Sequence, residues 1–342
     1  MGLFSRRQAA RPAGSTVRLT CQQFESRIVP AMTLHKSAAF PHGSLLPHAD
    51  VQSVYMGAGW TNDPDRVDDI RFFEGFTKFI VSSKAGYMAM LTKAKYGVGA
   101  GKSEKGFVDS TVNIVSSSIS DAQIQAELQA LITAGKVQQP NKNRLYQVFV
   151  APTIRVTTPF GNSVAQFCAY HNSFAGTDIK NKAWPVIAYS VMPYQGTGTG
   201  LNGINAQNPD FASGFAVNLS KVDAITVAAS HELTEAATDA HVGDGWWDEN
   251  TGNENADVVN AQDCVLGGYV VQKNVAPDLT PIQPKNGIPY TYNGGGPLAA
   301  VTSGLVSAFT PESLVFNTSF GTKPKGMNWL VPGAIFSQNP AE

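Results

Sequence analysis

His231-Glu232-Leu233-Thr234-Glu235 is the stretch of this 342-residue chain whose residue types and spacing suit chemistry. On a helix, residues four apart lie one above the other, so His231 and Glu235 would meet a ligand on one shared face. Glu232 is rotated about 100° around the axis, where zinc peptidases of H-E-x-x-H pattern carry their general base. Glu235 stands in place of the second His. Such a set can hold Zn²⁺, but the added negative charge weakens Lewis acidity and raises the pKa of coordinated water. The expected roles are therefore metal binding for His231 and Glu235 and general-base catalysis for Glu232.

Three sources compete for a third ligand. Glu254 and Asp257, in Asn253-Glu254-Asn255-Ala256-Asp257, lie downstream at a spacing seen in zincins whose third ligand is a Glu. Glu254 ranks first, with Asp257 as its support or substitute. His241 stands ten residues after His231, a known third-ligand offset, although Thr238 occupies the place of the glycine that lets such chains turn. His171 is remote in sequence but follows a β-rich stretch. An oxygen-only Ca²⁺ loop built from Asp244, Asp248, Asn250 and Asn253 is the alternative. A carboxylate of Glu254 or Asp257 is expected within about 5 Å of both His231 and Glu235.

The surroundings raise the stakes at this site. Ten acidic residues lie between Asp223 and Asp263, and no Lys or Arg occurs between Lys221 and Lys273. Trp246-Trp247, Val258-Val259 and an Ala-rich helix face indicate burial, and buried anions need a partner.

The elements that must position these residues are legible as periodicity. Val51–Met56 reads as a strand, and Trp60–Pro64 as a turn into a helix with Phe72, Phe76, Phe79 and Ile80 on one face. Tyr87–Lys95 reads as a helix and Phe107–Val115 as a strand. Ser120 and Gln123 have capping-box spacing ahead of a helix stopped by Gly135. Leu145–Ala151 and Pro185–Met192 are β-rich, Gly196–Phe211 reads as loop, and the helix of His231 begins at Ser220 and runs to about Asp239. Gly97–Ser103 has the letters of a phosphate loop, but Tyr96 sits where its first glycine belongs. Gly198–Gly203 matches a dinucleotide fingerprint with no helix to follow. No Gly-x-Ser-x-Gly elbow occurs. The expected class is α/β (α+β), a mixed sheet packed on helices.

Composition narrows the partners. The chain is 43% apolar and 15% charged with a net charge of −1, which argues against a nucleic-acid binder. No apolar run is long enough to span a membrane. Residues 1–31 carry five Arg against Glu25, and Arg18–Ala31 resembles the segment that opens many planctomycete surface and secreted proteins. Residues 1–48 are expected to be a leader or linker outside the fold, 49–275 the main domain, and 276–342 a Gly/Pro-rich extension.

Several motifs, in order, resemble the EXORDIUM / phosphate-induced protein 1 family. They are Gly59-Trp60-Thr61, Ile119–Ile124, Gln166-Phe167-Cys168-Ala169-Tyr170-His171, the His231–Glu235 segment, Gly245-Trp246-Trp247 and Glu254–Asp257. Ala240 departs from the family's Pro, and Val259 stands where its Cys is expected. The resemblance implies a secreted protein with a zincin-like core. It also raises a Cys168–Cys264 pairing, which an extracellular protein could form and a cytosolic one would not. The expected function is a secreted zinc-dependent hydrolase, acting on a peptide or cell-surface substrate. The competing expectation is a non-catalytic surface protein with a structural Zn or Ca site.

Overall fold

A computed structural model of the chain describes residues 31–290, except 113, 115–116, 165–166, 195–218 and 261. The Arg-rich segment up to 30, the fingerprint-like Gly198–Gly203 and the chain beyond 290 lie outside the described residues.

Along the chain, β1 (Thr33–Leu34) and β2 (His48–Met56) precede three helices, α1 (Gly59–Asn62), α2 (Asp65–Ile80) and α3 (Tyr87–Lys93). Next come β3 (Gly99–Asp109), β4 (Ser118–Ser120), α4 (Asp121–Thr133), β5 (Arg144–Val150), β6 (Arg155–Thr158) and β7 (Gly161–Asn162). The long strands β8 (Tyr170–Thr177) and β9 (Ala183–Pro193) lead to α5 (Lys221–Thr238). Short strands complete the described chain: β10 (Trp246–Trp247), β11 (Asp263–Leu266), β12 (Tyr269–Gln272), β13 (Asn274–Val275), β14 (Pro281–Ile282) and β15 (Ile288–Pro289).

The central sheet has the order β3-β2-β5-β9-β8. Its first four strands are parallel, and β8 closes one edge antiparallel to β9. A strand enclosed on both faces is buried throughout, and β5 is buried at every position, Arg144 and Gln147 included. Alternation assigns the two faces. Ser53 and Gln147 meet Thr77 of α2, and Gln147 also donates to the Ala229 carbonyl of α5. On the other face, the Tyr170 and Tyr189 hydroxyls both donate to Asp121 at the start of α4. The mixed α/β class follows directly from this three-layer arrangement.

His171 adjoins Tyr170 and pairs in register with Ser190, so it projects from the face opposite Tyr170, toward α5. Helix α5 is apolar or buried nearly all round, as a helix enclosed on every side must be. The sheet lies on one side of it and the β11–β12 hairpin on another, where the Thr226 hydroxyl donates to the Val270 carbonyl. Its start is capped by Ser220, whose side chain accepts from the Asp223 amide. The capping box on α4 is fully formed.

Residues 31–47, expected to lie outside the fold, are part of it. β1 pairs with β10, Leu46 donates to the Ala237 carbonyl, and Met32 and Leu46 are buried. Basic composition upstream hid this, because a two-residue strand has no periodicity to read.

The strand expected over Phe107–Val115 instead covers Gly99–Asp109, and the glycines that mimic a phosphate loop serve its packing. A side chain at Gly101 would collide with the Ala49 backbone of the neighbouring strand. Gly101→Ala should therefore destabilise the protein by about 1–3 kcal/mol in urea unfolding. An unchanged midpoint would contradict this packing role.

Candidate metal centre

His231 and Glu235 share one face of α5, as their spacing requires. His231 Nε2 lies 3.0 Å from Glu235 Oε1, yet neither atom has a hydrogen-bond partner. Both residues are completely buried. The geometry is that of two groups facing a common point rather than each other.

The imidazole's orientation is set from behind. Its Nδ1 faces Gln272 Oε1 at 3.1 Å, while Gln272 Nε2 donates to the Ala256 carbonyl at 2.7 Å. A carbonyl only accepts, so the amide of Gln272 cannot be turned round. Gln272 Oε1 therefore accepts from His231 Nδ1–H, and in the neutral ring the Nε2 lone pair points at the carboxylates. Metal-binding imidazoles are oriented in this manner by a hydrogen bond from the other nitrogen. Gln272 had no sequence signal. The β11–β12 hairpin delivers it, with the Gln272 amide donating to Ser230 Oγ of α5.

Asp257 brings the third group. Its Oδ1 is 3.6 Å from His231 Nε2, and its Oδ2 accepts from the Glu254 amide at 3.0 Å. That bond shapes the turn. Asn255 ties the same turn to α5 by donating to Thr238 Oγ1. One donor atom each from His231, Glu235 and Asp257 falls within a mutual 4.8 Å. Asp257 thus holds the position that the spacing had assigned first to Glu254.

Glu254 lies on the other side of Glu235, beside His171. His171 Nε2 is 3.7 Å from Glu254 Oε1, and Nδ1 is 3.3 Å from Glu232 Oε2 and 3.6 Å from Glu235 Oε2. Donors of His171, Glu235 and Glu254 form a second group within 4.8 Å. His171, ranked last by sequence, is central because the β8–β9 pairing aims it at α5.

The remaining candidates are elsewhere. His241 bonds Asp244 at 3.0 Å, half exposed, and belongs to neither group. Asp248 accepts from Asn250 and Thr251 of its own loop, and Glu249 pairs with His35. Among the described residues, no three His, Cys, Asp or Glu side chains converge in the Asp244–Asn253 stretch. No disulfide joins Cys168 and Cys264, both buried.

Electrostatics reflect anions enclosed with imidazoles. Burial opposes a charged His171, but Glu232 and Glu235 outweigh it and push the ring up to about 9. Burial likewise opposes a charged His231, and Glu235 and Asp257 hold it well above the ordinary imidazole value. Burial pushes Glu232 up to about 7 despite His171 and His231. Burial and Asp257 raise Glu235, yet the two imidazoles outweigh them and leave it lowered. Asp239, beside Glu254, is pushed up by burial to about 6.

These residues fit a divalent cation: N and O donors, with His231 and Glu235 fully buried, Asp257 at the edge of the site, and the His231 ring's orientation fixed. Because cation binding must displace protons from the rings, zinc affinity should rise with pH. Gln272→Leu should weaken zinc affinity about 10–100-fold in a competition titration, while retaining the fold. Equal affinity would show that Gln272 does not orient the ligand.

The metal-free protein carries its own pH signature. His171 has a folded pKa raised above its ordinary 6.5, so its contribution is fully present below 6.5 and lost as pH rises through about 9. Glu232, raised from 4.5, loses its contribution as pH rises through about 7. In chelator, the melting temperature should fall by several degrees between pH 6 and pH 9, and by less in His171→Gln. An equal fall in both proteins would contradict the assignment.

In comparison with known proteins, the chain matches no family model, and neither a curated protein nor a solved structure matches it.

Proposed function

We propose that the chain is a secreted metal-dependent hydrolase, with zinc as the cation and a peptide as the substrate class. The observation that carries this reading is the approach of His231 Nε2 to Glu235 Oε1 at 3.0 Å without a hydrogen bond, with Asp257 completing the set. His231, Glu235 and Asp257 would hold the cation. A divalent ion there supplies Lewis acidity and acidifies coordinated water.

The chain's own residues supply the proton handling. Glu232 follows His231 on α5, and burial raises its carboxyl above the ordinary carboxylate value, the direction a general base near neutral pH requires. His171 faces Glu232 at 3.3 Å and is the group with which a proton taken by Glu232 would be shared. Support for export comes from the leader-like resemblance of Arg18–Ala31 and from the family resemblance.

A second reading, a structural metal site in a non-catalytic protein, is favoured by one observation. His171, His231, Glu232 and Glu235 have no exposed surface at all, and a substrate needs a path. Glu232→Gln separates the two. Under the hydrolase reading, that variant should keep stoichiometric zinc yet lose at least 100-fold in hydrolysis of a generic peptide library. Zinc-loaded wild type without hydrolysis, melting well above its chelated form, would establish the structural role instead.

A further inference from the structure

Glu235 is the side chain that both ligand groups share. Its two oxygens are divided between the two imidazoles: Oε1 lies 3.0 Å from His231 Nε2, and Oε2 lies 3.6 Å from His171 Nδ1. Neither oxygen has a hydrogen-bond partner, and the residue is fully buried. A carboxylate that makes no well-aligned hydrogen bond through either oxygen, and that presents each oxygen to a different imidazole, has the geometry of a bridge.

The second half of the site is built like the first. His231 is backed by Gln272 on its far nitrogen. His171 has an acceptor at each ring nitrogen, Glu232 Oε2 at 3.3 Å from Nδ1 and the Asp239 carbonyl at 3.3 Å from Nε2. Whichever nitrogen takes an ion, the other can donate its proton, which is the support a ligating imidazole needs. Charge agrees. Glu232, Glu235, Glu254 and Asp257 carry four negative charges when ionised. One dication beside neutral rings leaves half of that charge buried, whereas two neutralise it.

We infer that the site takes two first-row divalent cations bridged by Glu235, one held by His231, Glu235 and Asp257 and the other by His171, Glu235 and Glu254. This rests on the proposed metal site and deepens it. Each position offers one imidazole and carboxylate oxygens, a donor set suited to Zn²⁺ and Mn²⁺. Two cations about 3.5–4 Å apart act as a clamp on both the attacking and the leaving oxygens of a displacement.

Stoichiometry tests the inference on the full chain. Purified protein dialysed against excess Zn²⁺, then freed of loose metal, should hold two ions per chain by elemental analysis. His171→Gln and Glu254→Gln should each hold one, and His231→Ala should lose the ion of its own half. Loading with Mn²⁺ reads the bridge without any substitution, since two bridged ions give an exchange-coupled magnetic resonance spectrum and a single ion gives six isolated lines. One zinc per chain in the wild type, absent from His231→Ala, would overturn the second position and leave the single-cation reading standing. No bound zinc would overturn both. Two ions that persist in His171→Gln would place the second ion elsewhere and also overturn the inference.

Discussion

Glu235 sits with no exposed surface, close to Asp257 and Glu232, on a helix whose every side is covered. Enclosing ionised carboxylates costs several kcal/mol per ion unless a compensating charge is enclosed with them. Among the described residues, Glu232 and Glu235 form ion pairs only with His171 and His231. Two protonated rings offset this charge without ligand, and under the proposed function cations would take their place. The architecture around α5 follows from the need to keep these few atoms together and dry.

The sheet, the helix and the hairpin each contribute one part of that arrangement. α5 sets the His231–Glu235 spacing. The antiparallel edge strand β8 carries His171 to the same place from the sheet side, and β12 brings Gln272 from the opposite side. The turn from Glu254 to Asp257 is clipped to α5 by Asn255 and shaped by Asp257 itself. The first described residues, through Leu46 and β1, close over the end of α5. Their hydrogen bonds are as much a support for the site as the longer elements are.

What could be read in the residues alone was local. His231, Glu232 and Glu235 lie within one turn of a helix, so their geometry followed from spacing. The helical face of α2 and the cap of α4 were visible for the same reason, although Phe73 rather than Phe72 is the deeper of that pair. The third candidate ligand was not local. Glu254 and Asp257 stand three positions apart in an irregular turn, and spacing alone does not say which of them faces His231. His171 and Gln272 are delivered by strand pairings with partners far away in sequence, and no spacing rule encodes those. His241 sat at a plausible offset, but the chain turns away after Asp239 and pairs it with Asp244.

X-ray absorption at the zinc edge of the zinc-loaded protein, recorded beside His231→Ala, reads the ligand atoms themselves. Coordination by the buried imidazoles and carboxylates predicts nitrogen and oxygen neighbours at about 2.0–2.2 Å with the outer-shell scattering of imidazole, diminished in the variant. A spectrum of zinc surrounded by oxygen alone, identical in the two proteins, would contradict it.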